Sequence, residues 1–324
     1  MDKKTTRIVF MGTPHFAVPS LQALVENGYN IVGVITMPDK PAGRGYKLQP
    51  SAVKIYAVEQ GLKVLQPEKL KDEAFLQELR ELRADVQIVV AFRMLPEVVW
   101  AMPPHGTFNL HSSLLPQYRG AAPINWAIIN GEKETGVTTF FLQHEIDTGS
   151  IIFQEKTTIT NADTAESLHD RLMLMGADLV VKTTDAIIQG IAPSVPQSEL
   201  IQHNAELKSA PKLFKETCRI NWNQSAKKIR NFIRGLSPYP AAWTKLHSSD
   251  DDAVFKIFAC EIAQNSRPLL PPGTIETDHK TYLNVAVKDG FIHITDMQLS
   301  GKKRMKVLDF LNGYTMEEGA RFCF

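Results

Sequence analysis

The run Val86-Gln-Ile-Val-Val-Ala-Phe92 is apolar almost throughout and dominated by β-branched side chains. A strand of that composition cannot offer either face to water, so it needs cover on both sides. The central strand of a parallel sheet obtains that cover from its crossover helices. The flanking sequence supplies both parts. Arg7–Gly12 and Ile31–Ile35 are further short apolar runs, and Pro14 to Glu26 between them carries Phe16, Leu21, Leu24 and Val25 at helical spacing, with Gly28 placed to stop it. Lys54 to Gln60 predicts a short helix, and Glu73 to Arg83 a clearer one with Leu76, Leu79 and Leu82 on one face. Thr107–His111, Gly136–Leu142 and Ile151–Thr158 are further strand candidates, and Ala162–Gln189 is a long helical pattern closed by Gly190. Strands alternating with helices predict an α/β, doubly wound, mostly parallel sheet.

The pattern changes at Ile191-Ala-Pro-Ser-Val-Pro-Gln-Ser198, a Pro- and Ser-rich stretch expected to open a linker. We therefore expect a first domain over 1–190, a linker over 191–207 and a second domain over 208–324. The second begins with Arg219-Ile-Asn-Trp222 and a basic amphipathic helix from Ser225 to Arg234, stopped by Gly235. After it come strand-like segments at Ala242–His247, Val254–Ile262, Thr281–Val287 and Phe291–Leu299. Several short strands after one helix predict a small β-barrel of the oligonucleotide-binding type.

Charge separates the halves. The net +1 conceals 18 basic against 12 acidic residues from Lys208 onward, and 18 against 23 before it. A basic second domain suits a polyanionic partner such as nucleic acid, or is a solvated basic surface. No apolar stretch approaches the roughly 18 residues that span a bilayer, and the N-terminus lacks a secretory hydrophobic segment. Cys218, Cys260 and Cys323 are odd in number and far apart, as expected of reduced thiols in a cytoplasmic protein. Gly12-Thr-Pro-His15-Phe16 follows the first strand but is neither Gly-x-Gly-x-x-Gly nor a P-loop, so a dinucleotide or nucleoside triphosphate lacks its usual cradle.

The chemistry concentrates in Asn109-Leu-His111-Ser-Ser113-Leu114-Leu115-Pro116-Gln-Tyr-Arg119-Gly120 and in Asp147-Thr-Gly149. Residues two apart on a strand point the same way, so Asn109 and His111 can enter one crevice. When an amine attacks a carbonyl carbon, the oxygen gains charge that donors must stabilise. Histidine can donate to that oxygen or shuttle a proton, and asparagine is a donor at any pH. Asp147 can accept the amine's proton, directly or through water, or hold His111 in its productive state. Pro116 turns the chain out of the strand, because it disfavours helix at Leu115.

This Asn-x-His, Ser-Leu-Leu-Pro-x-x-Arg-Gly and Asp-Thr-Gly pattern resembles the folate-dependent formyltransferases, with their Rossmann-like catalytic domain. The resemblance extends along nearly the whole chain. It implies 10-formyltetrahydrofolate as co-substrate and no metal, with Asn109, His111 and Asp147 catalytic. It also implies a folate site formed by Ser113, Leu114, Leu115, Pro116, Val90, Ala91 and Ile146, the pterin being read mainly by backbone groups. One departure stands out: the family's Tyr-Gly after the central strand is Phe92-Arg93 here.

A second element, Pro38-Asp39-Lys40-Pro41-Ala-Gly43-Arg44-Gly45-Tyr-Lys47, is a long cationic loop. It is similar to the loop of those members that formylate methionine on initiator tRNA. The resemblance implies Arg44 near the first base pair, Lys40 and Lys47 on phosphates, and Phe16 beside the methionine side chain. It also makes the second domain a tRNA-docking surface, with Lys227, Lys228 and Arg304 as contacts. Formyl transfer to the α-amino group of that methionine, by a monomer, is the expected activity. The rival is formylation of a small amine such as glycinamide ribonucleotide or an amino sugar, for which the basic loop and basic domain have no purpose.

Overall fold

The computed structural model describes residues 2–42, 47–201, 206–247, 253–263, 270–317 and 319–323. Contacts divide the chain into two compact units. The first holds Met1–Gly120, Thr135–Thr157 and His169–Ser209; the second holds Ala121–Glu134, Thr158–Leu168 and Ala210–Phe324.

The first unit is built on a seven-stranded sheet: β1 (Arg7–Gly12), β2 (Asn30–Ile35), β3 (Val64–Leu65), β4 (Val86–Val90), β5 (Thr107–His111), β6 (Glu134–Phe141) and β7 (Ile151–Thr158), in the order β7-β6-β5-β4-β1-β2-β3. From β5 to β3 the pairings are parallel, while β6 runs antiparallel to β5 with Thr138 opposite His111. The β4 strand is buried at all five positions, as its composition requires.

Helices α1 (Val18–Glu26), α2 (Ala52–Glu59), α3 (Glu73–Glu81), the short α4 (Glu97–Trp100) and the later α6 (Ala165–Gln189) cover this sheet. Side-chain caps start two of them: in α2 Ser51 accepts from the Lys54 amide, and in α3 Asp72 accepts from that of Phe75. No helix among the described residues is long and apolar enough to cross a membrane.

The described parts of the 191–207 stretch are tied to the first unit, with Glu206 O accepting from Gln117 Nε2 at 3.0 Å. Val195 pairs with Ile151 beside β7, and Gln197 is buried in a short 3-10 turn.

The second unit contains α5 (Pro123–Ile129), α7 (Ala226–Leu236) and a seven-stranded antiparallel sheet. Its strands are β8 (Ala242–His247), β9 (Ala253–Ala263), β10 (Ile275–Thr277), β11 (Leu283–Val287), β12 (Gly290–Leu299), β13 (Met305–Lys306) and β14 (Arg321–Cys323). The order is β10-β11-β12-β9-β8-β14, with β13 on β12. A bridge between Thr274 and Arg321, and an amide of Phe322 donating to Gly273 O at 2.8 Å, bring the two edges together into a nearly closed barrel. Trp222, fully buried, stacks on Phe322 with centroids 5.6 Å apart and donates to Thr244 Oγ1.

Two expectations for this region need correction. The α7 helix does not stop at Gly235 but runs through it to Leu236. That glycine meets α5, where a Cβ would lie 2.7 Å from Ile129 Cγ1 and 3.2 Å from Asn125 O. Its missing side chain thus serves close helix packing rather than termination. The remainder of the chain is also not strands alone: α8 (Val307–Gly313) buries Val307, Phe310 and Leu311 at helical spacing.

Candidate active site and nucleic-acid surface

The β5 strand carries Asn109 and His111 on one face. Leu110, pointing the other way, packs against Gly176 of α6, so the trio's face is the one opposite that helix. Asn109 is partly exposed, and among the described residues its amide has no protein partner. It is therefore available to a ligand.

His111 is 7% exposed, and its Nε2 lies 2.9 Å from Tyr118 O. A carbonyl oxygen only accepts, so this contact places a proton on Nε2 and leaves Nδ1 as the ring nitrogen turned toward the acid. Nδ1 faces Asp147 Oδ2 at 3.9 Å, with the Asp147 side chain 13% exposed.

Asp147 arrives on a loop that folds back from the end of β6. Its backbone is left-handed, with φ 55°. Gly149 makes the return possible, because a Cβ there would come within 1.6 Å of Phe141 O. Asp147 Oδ2 accepts the Gly120 amide at 3.0 Å. Its Oδ1 has no protein partner among the described residues, which leaves a free acceptor oxygen beside the imidazole. Asn109, His111 and Asp147 are thus gathered on one side of one sheet.

Two residues that the sequence did not single out for this role support the trio. Gln197 donates through Nε2 to Asp147 O at 2.8 Å and to Gly149 O at 2.9 Å. Its Oε1 accepts from Arg119 Nε at 3.0 Å and Nη2 at 2.6 Å. Arg119 is thus held by an amide oxygen. Gln197 gives no periodic signal, since it sits in a Pro- and Ser-rich stretch that resembles a linker.

The expected folate residues fall into three groups. Leu115 is buried in a cluster with Phe140 and Ile151, while Leu114 lies against Gly136. Ser113 donates to Gln117 O at 2.6 Å, and Pro116 is buried, so this loop is shaped from within. Val90 is buried; Ala91 after it is exposed with φ 46°, and Ile146 is 58% exposed. The loop before Asp147 touches the helix α4, where His144 reaches Glu97 at 3.4 Å and meets the Trp100 ring edge-on at 5.5 Å.

Arg93 explains the departure at 92–93: it donates to Glu68 O at 2.8 Å and to Pro67 O, fastening its loop to the chain after β3. Burial lowers its pKa from the ordinary arginine value. Phe16 is 7% exposed and meets His169 edge-on at 5.2 Å, while His15 is exposed.

The cationic loop is rooted in a short antiparallel hairpin, Lys40–Ala42 against Lys47–Gln49. Asp39 at its base accepts from Lys54 Nζ at 2.6 Å and Gln66 Nε2 at 2.8 Å. The Lys54 bond, with Gln66, holds the Asp39 carboxyl below the usual carboxylate range. Lys40 is exposed, and Arg44 lies outside the described residues.

In the second unit Lys227 and Lys228 project from the first turn of α7 into a groove of about 600 Å³ that also includes Arg219, Asn221 and Asn231. None of the lining residues is acidic. Arg304 is committed elsewhere: it forms a bidentate pair with Asp296 at 2.9 and 3.0 Å and lies 4.3 Å over the Phe258 ring. Arg234, buried, donates to Thr160 O and Asp163 O.

The chain belongs to the formyl transferase family: residues 6–184 match the formyl transferase domain and residues 212–315 its C-terminal domain. Within that family it is similar to proteins named methionyl-tRNA formyltransferase. That of Parabacteroides distasonis is 64% identical over 97% of each chain, and that of Porphyromonas gingivalis strain W83 50% identical over 98% of each. Among solved structures, an N-formyltransferase of Helicobacter canadensis with folinic acid and dTDP-3-aminofucose matches at TM-score 0.64 and 23% identity, over 93% of this chain and 100% of that one. HypX of Aquifex aeolicus with tetrahydrofolic acid matches at TM-score 0.63 and 18% identity, over 94% and 46%. At those identities the likeness is one of fold alone.

Proposed function

We propose that this chain transfers the formyl group of 10-formyltetrahydrofolate to the α-amino group of methionine on initiator tRNA, acting as a cytoplasmic monomer. The observation that carries this is the 64% identity with a methionyl-tRNA formyltransferase over 97% of each chain, with the Asn109–His111–Asp147 trio complete. 10-Formyltetrahydrofolate supplies the carbon that is transferred. The loops at Val90, Ala91 and Ile146 hold its heterocycle, and the 113–116 turn, with Leu114 and Leu115, bounds the site from beneath.

Around the formyl carbon each side chain has a distinct task. Asn109 Nδ2, unpaired with protein, donates to the formyl oxygen as that oxygen gains charge. Asp147 Oδ1 takes the proton that the attacking amine must lose. His111 Nδ1 relays that proton to N10 of the folate as the formyl C–N10 bond breaks and tetrahydrofolate leaves, while its Nε2–H stays fixed on Tyr118 O. Because Nε2 is committed, only the Nδ1 edge of His111 can take part in proton transfer.

The tRNA would be held at two places. Lys40, Arg44 and Lys47 of the cationic sequence would contact the acceptor end, and Lys227 and Lys228 would meet backbone phosphates, giving salt-dependent affinity. Arg304, spent on Asp296, stiffens the sheet instead. Phe16 packs behind the methionine pocket rather than lining it openly.

An acceptor comparison tests the proposal. Purified protein with 10-formyltetrahydrofolate should formylate charged initiator tRNA efficiently, and charged elongator tRNA, glycinamide ribonucleotide and an amino-sugar nucleotide poorly. Preference for either small amine would overturn it.

A further inference from the structure

We propose that Gln197 is the positioning residue that sets Asp147 for proton transfer, an inference that rests on the role given to Asp147 above. Asp147 occupies a left-handed backbone, uncommon for a non-glycine residue though milder for aspartate than for most, and tertiary contacts hold it there. The Gln197 carboxamide, 3% exposed, fastens the carbonyls of Asp147 and Gly149 through one nitrogen. Its oxygen is fastened in turn by two N–H groups of Arg119.

The next residue along, Gly120, donates to the Asp147 carboxylate, and the preceding one, Tyr118, accepts from His111. Three consecutive residues, 118 to 120, therefore hold the imidazole, the glutamine and the acid, and Gln197 closes this ring. A carboxamide is required because it must donate on one side and accept on the other. Glutamate would turn an oxygen toward two carbonyls, and methionine would fill the space with no polar contact.

The test is a double-mutant cycle on the full-length protein, read by single-turnover transfer at saturating substrates, by KM for each substrate, and by Tm. Gln197→Met should slow transfer by about 10- to 100-fold, the scale of a 1 Å misplacement. KM for the folate and for tRNA should stay within about twofold, and Gln197→Glu should not restore the rate. In an Asp147→Asn background the same Gln197→Met change should cost less than about twofold, since the group it positions is gone. Should Gln197→Met fold poorly, Gln197→Glu is carried through the same cycle. An equal loss in both backgrounds, or a wild-type rate in the single Gln197 variants, overturns the proposal. A wild-type rate for Asp147→Asn alone would instead remove the chemical role of Asp147, and that single variant keeps the two failures apart.

Discussion

At the scale of the residue, the site is set by what each polar group has already spent. His111 has given Nε2 to a backbone carbonyl, and Asp147 has given Oδ2 to a backbone amide, so Nδ1 and Oδ1 are the atoms the proposed proton transfer would use. Asn109 has given nothing. Asn109→Ala should therefore lower kcat by about 10²–10³, the usual cost of one oxyanion donor, with tRNA affinity unchanged. Steady-state kinetics beside a filter-binding titration would show this, and an effect confined to KM would contradict it.

Arg304 makes the opposite prediction. Its pairing with Asp296 and its cover over Phe258 mean that Arg304→Ala should lower Tm by several degrees while changing the Kd for tRNA less than Lys227→Ala/Lys228→Ala does. Thermal unfolding and tRNA titration of the two variants would decide between a structural and a phosphate-binding arginine.

Among secondary-structure elements, the helices and strands with strong periodicity were legible: β1, β5 and β7 fall where the pattern placed them. Elements whose stability comes from distant partners were not. β3 has two residues, β14 exists because it joins two sheet edges, and Gly235 continues a helix because α5 needs the room. The same division holds in the site. Asn109, His111 and Asp147 were legible as a spaced motif, whereas Gln197 acts through tertiary bonds that leave no local trace.

Gly235→Ala tests the packing argument directly. Added volume against Ile129 should destabilise by about 1–3 kcal/mol, read by denaturant unfolding, and a stabilised variant would refute it. The hairpin has its own test. Asp39 is held below the usual carboxylate range, so its anchoring is fully present above the unfolded-state pKa and is lost as pH falls through its folded-state value. Hydrogen-exchange protection of the 40–42 and 47–49 strands, corrected for the intrinsic pH dependence of exchange, should thus be constant near neutral pH and fall only below about pH 4. In Asp39→Asn it should be low throughout.

For the molecule as a whole, charge is divided along the chain as the chemistry is. The trio proposed to be catalytic lies within the first unit and the groove with Lys227, Lys228 and Arg219 within the second. A polyanionic substrate can use the second unit for affinity without taking part in proton transfer there. The most direct check of the central claim is single-turnover formyl transfer by His111→Ala with saturating charged initiator tRNA, measured beside the affinity of the same variant for that tRNA. The account predicts a loss of about 10²–10⁴ in rate with affinity within about twofold; a wild-type rate, or a loss traced wholly to tRNA binding, would contradict it.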